Sequence, residues 1–440
     1  MGVGECEKVV SKADIDMAEK DTSFEEKRVP SILDKITLLP GDRVLWIIVT
    51  LLLAISLIVV YSSIGQVAFR HNTPTGVFLQ KHIITIFLTV GLMILAYIIP
   101  AKVIRFFTPL AYVVSWLMTL AAYFFGGKGD DASRWLDLGF FSFQPSELLK
   151  IATIMVLAKQ LSKFHTQIKR VHLLPSTIDL RKWNTPRERG IIFDEVLPIV
   201  APIALSCAVI LPAHTSSTVH LFVISMAMLF IAGIRAKEIL KVALIAAVFG
   251  LSIMFLFGRG DTVVSRVMRF STSEEVDYSK KGIDKYPDSY RSQMAVHNGG
   301  VFGVGAGRSL MRARLTHPES DYLFAVVIEE FGSVISFIII LLYLWIFFRS
   351  LRIFERCVWL YAGLLVVGLS LLIVSQAFLH IGVNIGILPE TGQNLPFLTN
   401  GRTGMFCAGI AVGIILGISR QVERGTLTPP EMKNESQERL

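Results

Sequence analysis

Apolar segments of about twenty residues recur along this chain between residues 43 and 420, and short polar loops separate most of them. About twenty predominantly apolar residues are enough for an α-helix to cross the hydrocarbon core of a bilayer. The pattern therefore predicts an all-α polytopic membrane protein with about ten transmembrane helices. The predicted spans lie at roughly 43–63, 82–100, 107–125, 145–162, 195–212, 215–233, 238–257, 321–348, 357–381 and 402–420.

Composition supports this class. Of the 440 residues, 52% are hydrophobic and only 18% are charged, which is less charge than a soluble chain of this size carries. The net charge of +8 does not indicate a nucleic-acid partner, because the basic residues concentrate in one set of loops. Three of the four cysteines lie in apolar segments, so we expect neither a disulfide framework nor a metal motif.

The distribution of Lys and Arg among the short loops predicts the orientation. The positive-inside rule places both termini in the cytoplasm, and the polar segment 258–320 between the seventh and eighth spans on the outer side. Residues 1–42 mix acids and bases without a periodic apolar face, so they are predicted to form a disordered cytoplasmic tail. No cleavable signal peptide is expected, and residues 421–440 form a second cytoplasmic tail.

Three carboxylates mark the eighth span. Asp321 stands at its start, whereas Glu329 and Glu330 lie within it. Asp is a preferred helix N-cap, so a capping role for Asp321 competes with a chemical one. Acids inside a span are costly unless they face a partner or a cavity.

Two further polar clusters are predicted at the same membrane face. Pro145 suits the first position of the fourth span, and Glu147 and Lys150 are three residues apart, so they share a helix face and can pair. A purely structural ion pair is the alternative. The segment 386–402 is rich in Gly, Pro and amides, which is typical of a packed re-entrant loop. Together the clusters favour a shared polar cavity.

The long outer loop has two recognisable parts. Residues 289–304 alternate polar and apolar side chains at helical spacing, which predicts an interfacial amphipathic helix. The glycines of 299–307 permit close backbone approach or a plain turn, and no strand precedes them, so they are not a dinucleotide-binding motif. We expect the loop to act as a moving lid.

Taken together and in order, these blocks resemble the SEDS family of cell-wall polymerases, the group of FtsW, RodA and SpoVE, and more the FtsW branch than the RodA branch. Two departures are His380, where the family usually has Asn, and residues 399–404, where it usually has a Ser-x-Gly-Gly pattern. The matching blocks are Arg134-Trp135 through Glu147 and Lys150, Gly299-Gly300 through Gly307, Ser320-Asp321 with Glu329-Glu330 and Gly332, and Pro389 through Phe397.

The resemblance implies a peptidoglycan glycosyltransferase that polymerises lipid II at the outer face of the bacterial cytoplasmic membrane, in cell division more than in elongation. Asp321 is then the candidate general base of an inverting reaction, with Glu147 and Lys150 as further catalytic residues. Cations would stabilise the pyrophosphate leaving group. The candidate substrate-binding residues are Arg134, Trp135, Gln144, Ser146, Gln293, Gly305, Gly307, Arg314, Glu330, Thr391, Pro396 and Arg402.

The resemblance also implies partners. A class B penicillin-binding protein, which is a transpeptidase, would dock on the eighth and ninth spans around 338–342 and 364–373, where Gly363 and Gly368 allow close approach. Other division or elongation proteins would join it. A divalent cation, Mg or Mn, could assist the pyrophosphate, although the sequence contains no dedicated metal site. The alternatives are a lipid II flippase or proton-coupled transporter, in which the acids relay protons, and a pure scaffold.

Overall fold

A computed structural model describes residues 40–70, 74–126, 135–137, 142–164, 197–256 and 287–427 of this chain. Arg134, the predicted N-terminal tail, residues 258–286 of the outer loop and the end of the C-terminal tail lie outside the described residues.

The described residues form an all-α architecture of eleven helices. A single two-stranded antiparallel ladder, in which Leu136 pairs with Phe143, precedes the fourth helix. The helices and strands are α1 Arg43–Arg70, α2 Thr75–Ile98, α3 Ala101–Phe125, β1 Leu136–Asp137, β2 Ser142–Phe143, α4 Pro145–Lys163, α5 Leu197–Ile210, α6 Thr215–Ile231, α7 Ala236–Leu256, α8 Asp288–Gly299, α9 Leu323–Arg356, α10 Leu360–Asn384 and α11 Arg402–Glu423.

Each of the ten predicted segments overlaps one of these helices, and α8 is the additional, amphipathic one. Within the described residues, six helices are long and apolar enough to cross a membrane, namely α1, α2, α3, α9, α10 and α11. Charged side chains, among them Glu147 and Lys150, lower the mean hydropathy of α4. The chain is thus a multi-pass helical membrane protein, and the number of ten crossings stays a prediction.

Helix α10 forms the centre of the bundle. It packs against α4, α6, α9 and α11, and most of its side chains are buried. Gly368 permits this packing, since a Cβ atom there would lie 2.7 Å from Cγ2 of Ile154. The predicted docking face at 364–373 is therefore wrong, because almost all of these residues face other helices of the same chain. Ile338 and Leu341 on α9 are exposed, so docking there stays a prediction.

Helix α9 is interrupted at Gly332, whose φ of 81° and ψ of 174° are not helical. The predicted span at 321–348 corresponds to this helix, which is long and apolar enough to cross a membrane, and the sequence did not predict the interruption within it. The glycine-rich turn after α8 docks at the break and satisfies backbone groups that the interruption frees. Val304 N–H donates to the carbonyl of Glu329 at 2.9 Å, and Ser333 N–H donates to the carbonyl of Gly300 at 3.1 Å.

The described part of the predicted lid, residues 287–320, contacts the helix bundle. Ala295 of α8 packs with Met311 and with Ala325 of α9, so α8 lies on the bundle through these contacts. The carboxylate of Glu329 accepts hydrogen bonds from the hydroxyl of Ser309 and from the backbone N–H of Met311 at 3.3 Å. Movement of the loop 258–320 as a lid stays a prediction.

We expect Gly332→Ala to destabilise the protein by about 3 kcal/mol or more, because strain at positive φ adds to a steric overlap. A Cβ atom at Gly332 would lie 2.2 Å from the carbonyl oxygen of Val301. Gly307→Ala is the control, since Gly307 also has positive φ (76°) but has open space around it. Thermal unfolding in detergent measures both variants. If both variants lose the same stability, the close approach of the Val301 carbonyl is not the reason that position 332 requires glycine.

A polar belt as the candidate active site

The predicted pairing of Glu147 and Lys150 is confirmed. Pro145 occupies the first turn of α4, so the two charged residues follow one turn apart on the same face. Glu147 Oε1 lies 2.8 Å from Lys150 Nζ, and their side chains are 7% and 0% exposed. A fully buried ammonium group requires such a counter-charge.

Two other helices approach this ion pair. His220 of α6 lies within electrostatic range of Lys150, and Cys407 of α11 lies within range of both charges. The N–H of Gln144, just before α4, donates to Thr403 Oγ1 at 3.2 Å. The start of α4 is therefore held against the start of α11.

Polar contacts continue from the ion pair along α6 and α10. The Nε2 atom of His220 lies 2.7 Å from Ser375 Oγ. Farther along, Gln393 Nε2 donates to Ser217 Oγ at 3.0 Å, and His380 Nδ1 donates to the carbonyl of Gln393 at 2.7 Å. We call the following residues the polar belt: Ser146, Glu147, Lys150, His214, Ser217, His220, Ser375, His380, Asn384 and Gln393.

Several buried atoms of the polar belt lack hydrogen-bond partners within the described part of the chain. Lys150 Nζ has no partner beyond its ion pair with Glu147. Buried polar groups in proteins normally have partners, so a concentration of free ones indicates a place where a polar ligand or water binds. The other unpartnered atoms are Ser146 Oγ, His220 Nδ1, His380 Nε2 and Gln393 Oε1.

A cavity of about 450 Å³ opens beside the polar belt, between α6, α10 and the loop that follows α10. Its lining contains both polar and apolar side chains, which suits an amphiphilic ligand. The polar side chains include Thr215, Ser216, His220, Ser375, Glu390 and Thr391. The apolar side chains include Val219, Val223, Phe378, Leu379 and Leu388.

Asp321 lies at the far end of the polar belt from Lys150. Its N–H donates to the carbonyl of His317 at 3.1 Å, and its own carbonyl accepts from Asn384 Nδ2 at 3.0 Å. Nine residues of α10 separate Asn384 from Ser375, which is roughly 14 Å of helix. The described contacts therefore link the two predicted catalytic groups through α10 and not directly.

Asp321 does not occupy the cap position of α9, which begins at Leu323 with Tyr322 as its cap residue. The Tyr322 hydroxyl donates to Glu390 Oε1 at 3.0 Å. Burial, together with the negative charge of Glu390, raises the pKa of this hydroxyl, so it keeps its proton and acts as the donor. Asp321 is thus adjacent in sequence to a residue that contacts the cavity wall.

His317 connects this segment to solvent, since its side chain is 61% exposed. The carboxylate of Glu319, whose Oε1 lies 3.9 Å from His317 Nδ1, raises the pKa of His317 above its ordinary value of 6.5. The negative charges of Asp321 and Asp288 act in the same direction, while partial burial opposes them. A raised pKa means that folding favours the protonated form. This contribution is present below about pH 6.5 and is lost as the pH rises through the raised value.

We therefore expect His317→Gln to lower the thermal midpoint more at about pH 5.5 than at about pH 9. Thermal unfolding in detergent across this range measures the difference. Glu319→Gln removes the negative charge beside His317, so its loss of stability should show the same pH dependence. A loss that is independent of pH would contradict the assigned cause.

Two other predicted residues, Gln293 and Thr391, lie beside the end of α10 and the cavity. The side chain of Gln293 on α8 packs over Gly386 at the end of α10, where a Cβ atom would lie 2.3 Å from Gln293 Nε2. Thr391 lines the cavity, and its buried Oγ1 has no partner in the described part of the chain. Trp135 is half-buried just before β1, and Arg402 is exposed at the start of α11.

A second group of predicted residues lies elsewhere. Glu330 is about two helical turns along α9 from Asp321, where it accepts from the hydroxyl of Ser62 and pairs with Arg312 at 3.5 Å. Gly307 N–H donates to Ser62 Oγ at 3.0 Å, and Gly305 N–H donates to the carbonyl of Glu330 at 3.0 Å. These contacts attach the outer loop to α1. A substrate-binding role for these three residues stays a prediction.

The last two predicted residues are held by main-chain contacts. The carbonyl of Pro396 accepts from the hydroxyl of Tyr343, inside a loop that is largely buried, as expected for the packed re-entrant segment. The carbonyl of Arg314 accepts from the guanidinium of Arg291. Neither contact involves the side chain of the predicted residue.

Sequence analysis overlooked the part of the polar belt on α10. The signal was present, because the belt residues His380 and Asn384 are four residues apart on a largely apolar helix, and Gln376 precedes His380 by the same spacing. All three are buried. Polar residues on one face of an apolar helix indicate a partner or a cavity on that side.

Comparison with known proteins agrees with this architecture. The sequence profile of the FtsW, RodA and SpoVE family, described as cell cycle proteins, matches residues 42–424. This chain belongs to that family. Stage V sporulation protein E of Bacillus subtilis is 30% identical over 387 residues, which cover 86% of this chain and 97% of the relative. The probable peptidoglycan glycosyltransferase FtsW of Polynucleobacter necessarius is 29% identical over 390 residues, which cover 85% of this chain and 84% of the relative.

Solved structures share the fold of this family member. A chain from a study of polymerization and crosslinking by a peptidoglycan synthase complex superimposes with a TM-score of 0.61 at 18% identity. The crystal structure of RodA from Thermus thermophilus superimposes with a TM-score of 0.56 at 19% identity. Each similarity covers 87% of this chain and 98% of the other.

Proposed function

We propose that this protein is a peptidoglycan glycosyltransferase that polymerises lipid II into glycan strands. The observation that carries the proposal is the polar belt, which extends from the buried, ion-paired Lys150 to Asn384, whose side chain contacts the backbone of Asp321. Family membership and the names of the FtsW relatives agree with it.

In the proposed reaction Asp321 acts as general base. It removes the proton of the acceptor sugar hydroxyl as that oxygen bonds to the anomeric carbon of the donor. The bond from this carbon to the lipid pyrophosphate breaks, and the electron pair leaves with the pyrophosphate. Attack opposite the leaving group inverts the anomeric centre, so one base is sufficient and no glycosyl-enzyme forms.

Lys150 is proposed to stabilise the negative charge that develops on the pyrophosphate. Its ammonium group retains donor capacity beyond Glu147, and burial strengthens its field. Glu147 holds Lys150 in place. A divalent cation, Mg or Mn, that assists the pyrophosphate stays a proposal, and within the described residues no group of three or more His, Cys, Asp or Glu side chains is placed to hold it.

The shape of the cavity supports a lipid-linked substrate. An apolar groove of about 400 Å³ between α6 and α7 shares Val223 with the cavity beside the polar belt. We propose that the prenyl chain lies in this groove while the sugar pyrophosphate faces the belt. The groove is lined by Phe222, Met226, Phe230, Ile239 and Leu240, among others.

For the cellular setting we propose septal wall synthesis in the bacterial cytoplasmic membrane. The distribution of Lys and Arg supports cytoplasmic termini and an outer position for Asp321. A class B penicillin-binding protein is the proposed partner, and the exposed face of α9 around Phe337, Ile338 and Leu341 is its proposed docking surface. The neighbour from a peptidoglycan synthase complex supports such a pairing.

Polymerisation of purified lipid II by the purified full-length protein, alone and with the transpeptidase partner, tests the proposal. The expected product is a ladder of glycan strands on gels. Vesicles that contain lipid II and the protein provide the second arm. Translocation of lipid II without any polymer would support the flippase alternative, and neither activity would support a scaffold.

A further inference from the structure

Asn384, the last residue of α10, contacts three elements at once. Its Nδ2 donates to the carbonyl of Asp321 at 3.0 Å and to the carbonyl of His380 at 2.8 Å. Its Oδ1 accepts from the N–H of Ala325 at 2.9 Å. Its own carbonyl accepts from Ser292 Oγ on α8 at 2.7 Å. The side chain is fully buried, so these bonds are not shared with solvent.

The contact with Ala325 replaces a missing helix cap. The first N–H groups of an α-helix have no partner within the helix, and a side chain at the cap position usually accepts from the second or third of them. Tyr322 holds the cap position of α9 but makes no such bond, and Ala325 is the third residue of the helix. Asn384 therefore caps α9 from another helix.

The same side chain thus holds the backbone at the predicted base and just after it. One bond fixes the carbonyl of Asp321 itself, and another fixes the amide four residues later. Both Nδ2 protons and one Oδ1 lone pair are used, so no shorter or apolar side chain can reproduce the pattern. A carboxamide is required, since a carboxylate could not donate to two carbonyls.

We propose that Asn384 is a positioning residue, which fixes Asp321 relative to the polar belt on α10. The inference rests on the proposed function, in which Asp321 is the base. Asn384 does not touch the reacting atoms. It acts by setting the distance between the carboxylate and a substrate held by α6, α10 and the cavity wall.

This role predicts a specific kinetic signature. Displacement of a catalytic group by about 1 Å can lower the rate a hundredfold. Substrate binding is unchanged if the cavity walls that hold the substrate do not move. For Asn384→Ala and Asn384→Asp we expect kcat to fall by about ten- to a hundredfold, with the KM for lipid II unchanged. Asn384→Asp keeps the size of the side chain and one acceptor, so it separates the loss of the donors from the loss of packing.

Ser292→Ala is the matched control. It removes a buried hydrogen bond at the same junction but leaves the Asn384 side chain and its three contacts intact. We expect its kcat and KM to stay within about twofold of the wild type. A similar loss of kcat in Ser292→Ala would show that general damage to the junction is responsible.

Amide hydrogen exchange of the purified proteins tests, independently of activity, whether the Asn384 side chain holds the start of α9. We expect faster exchange in peptides that contain Ala325 in both Asn384 variants, and unchanged exchange in the interior of α10. Unchanged exchange at Ala325 would show that the Asn384 side chain does not hold this segment. Faster exchange with an unchanged kcat would show that holding the segment does not position Asp321. If the wild-type protein forms no glycan, the proposed function fails, and the exchange data still decide whether Asn384 holds this segment.

Discussion

Replacing Asp321 by Asn is expected to leave folding intact and to reduce glycan polymerisation by a factor of about 10² to 10⁴. Asn has nearly the same size as Asp and cannot accept the proton of the acceptor hydroxyl. The backbone bonds of this residue, to His317 and to Asn384, do not depend on its side chain. The cap position of α9 belongs to Tyr322, so the substitution does not remove a cap bond there.

The purified variant would be assayed with lipid II beside a control that loses a charge in the same segment. Glu319→Gln provides it, because Glu319 lies two residues earlier and contacts His317. The control should stay near wild-type activity at neutral pH. The assignment of the base is wrong if Asp321→Asn keeps more than a few per cent of wild-type activity while it folds normally.

The second large effect is expected at the ion pair of Glu147 and Lys150. Removing one partner leaves an uncompensated charge in a buried site, which costs about 3–5 kcal/mol. Glu147→Ala and Lys150→Ala should each lower both thermal stability and polymerisation. The double substitution should recover stability, because no lone charge remains, but it should not recover activity, because the ammonium group is absent.

A double-mutant cycle on thermal unfolding in detergent measures the coupling. Strictly additive losses of stability would contradict a direct contact. Lys241→Ala is the comparison, since Lys241 forms an ion pair of the same spacing with Glu238 at 2.9 Å but is 45% exposed. Lys241→Ala should lower the stability less, because Lys241 is partly solvated. In addition, Glu238 lies in the first turn of α7, where the helix dipole favours an acid.

Patterns among residues close together in the sequence were sufficient to predict part of this architecture. The length of the apolar segments predicted the membrane class, and the spacing of Glu147 and Lys150 predicted their contact. Pro145 predicted the start of α4. Each of these features depends on residues within one or two helical turns, which is the range over which a sequence pattern acts directly.

The features that sequence analysis overlooked or misplaced depend on contacts between distant segments. Nothing near Gly332 distinguishes it from a helical glycine, because its conformation is set by the turn at 299–305. Gly368 appeared suited to a partner helix, but the side chain that fills its space is Ile154 of the same chain. The polar belt likewise requires α6, α10 and the loop that contains Gln393 to meet.

The break in α9 has a mechanical consequence. Backbone hydrogen bonds join the turn at 299–305 to residues on both sides of Gly332, and the short helical segment before the break begins just after Asp321. A displacement of this turn would therefore act on the helical segment that begins after Asp321. If Asp321 is the base, as proposed, a ligand that displaces the turn would lower polymerisation without occupying the sugar site.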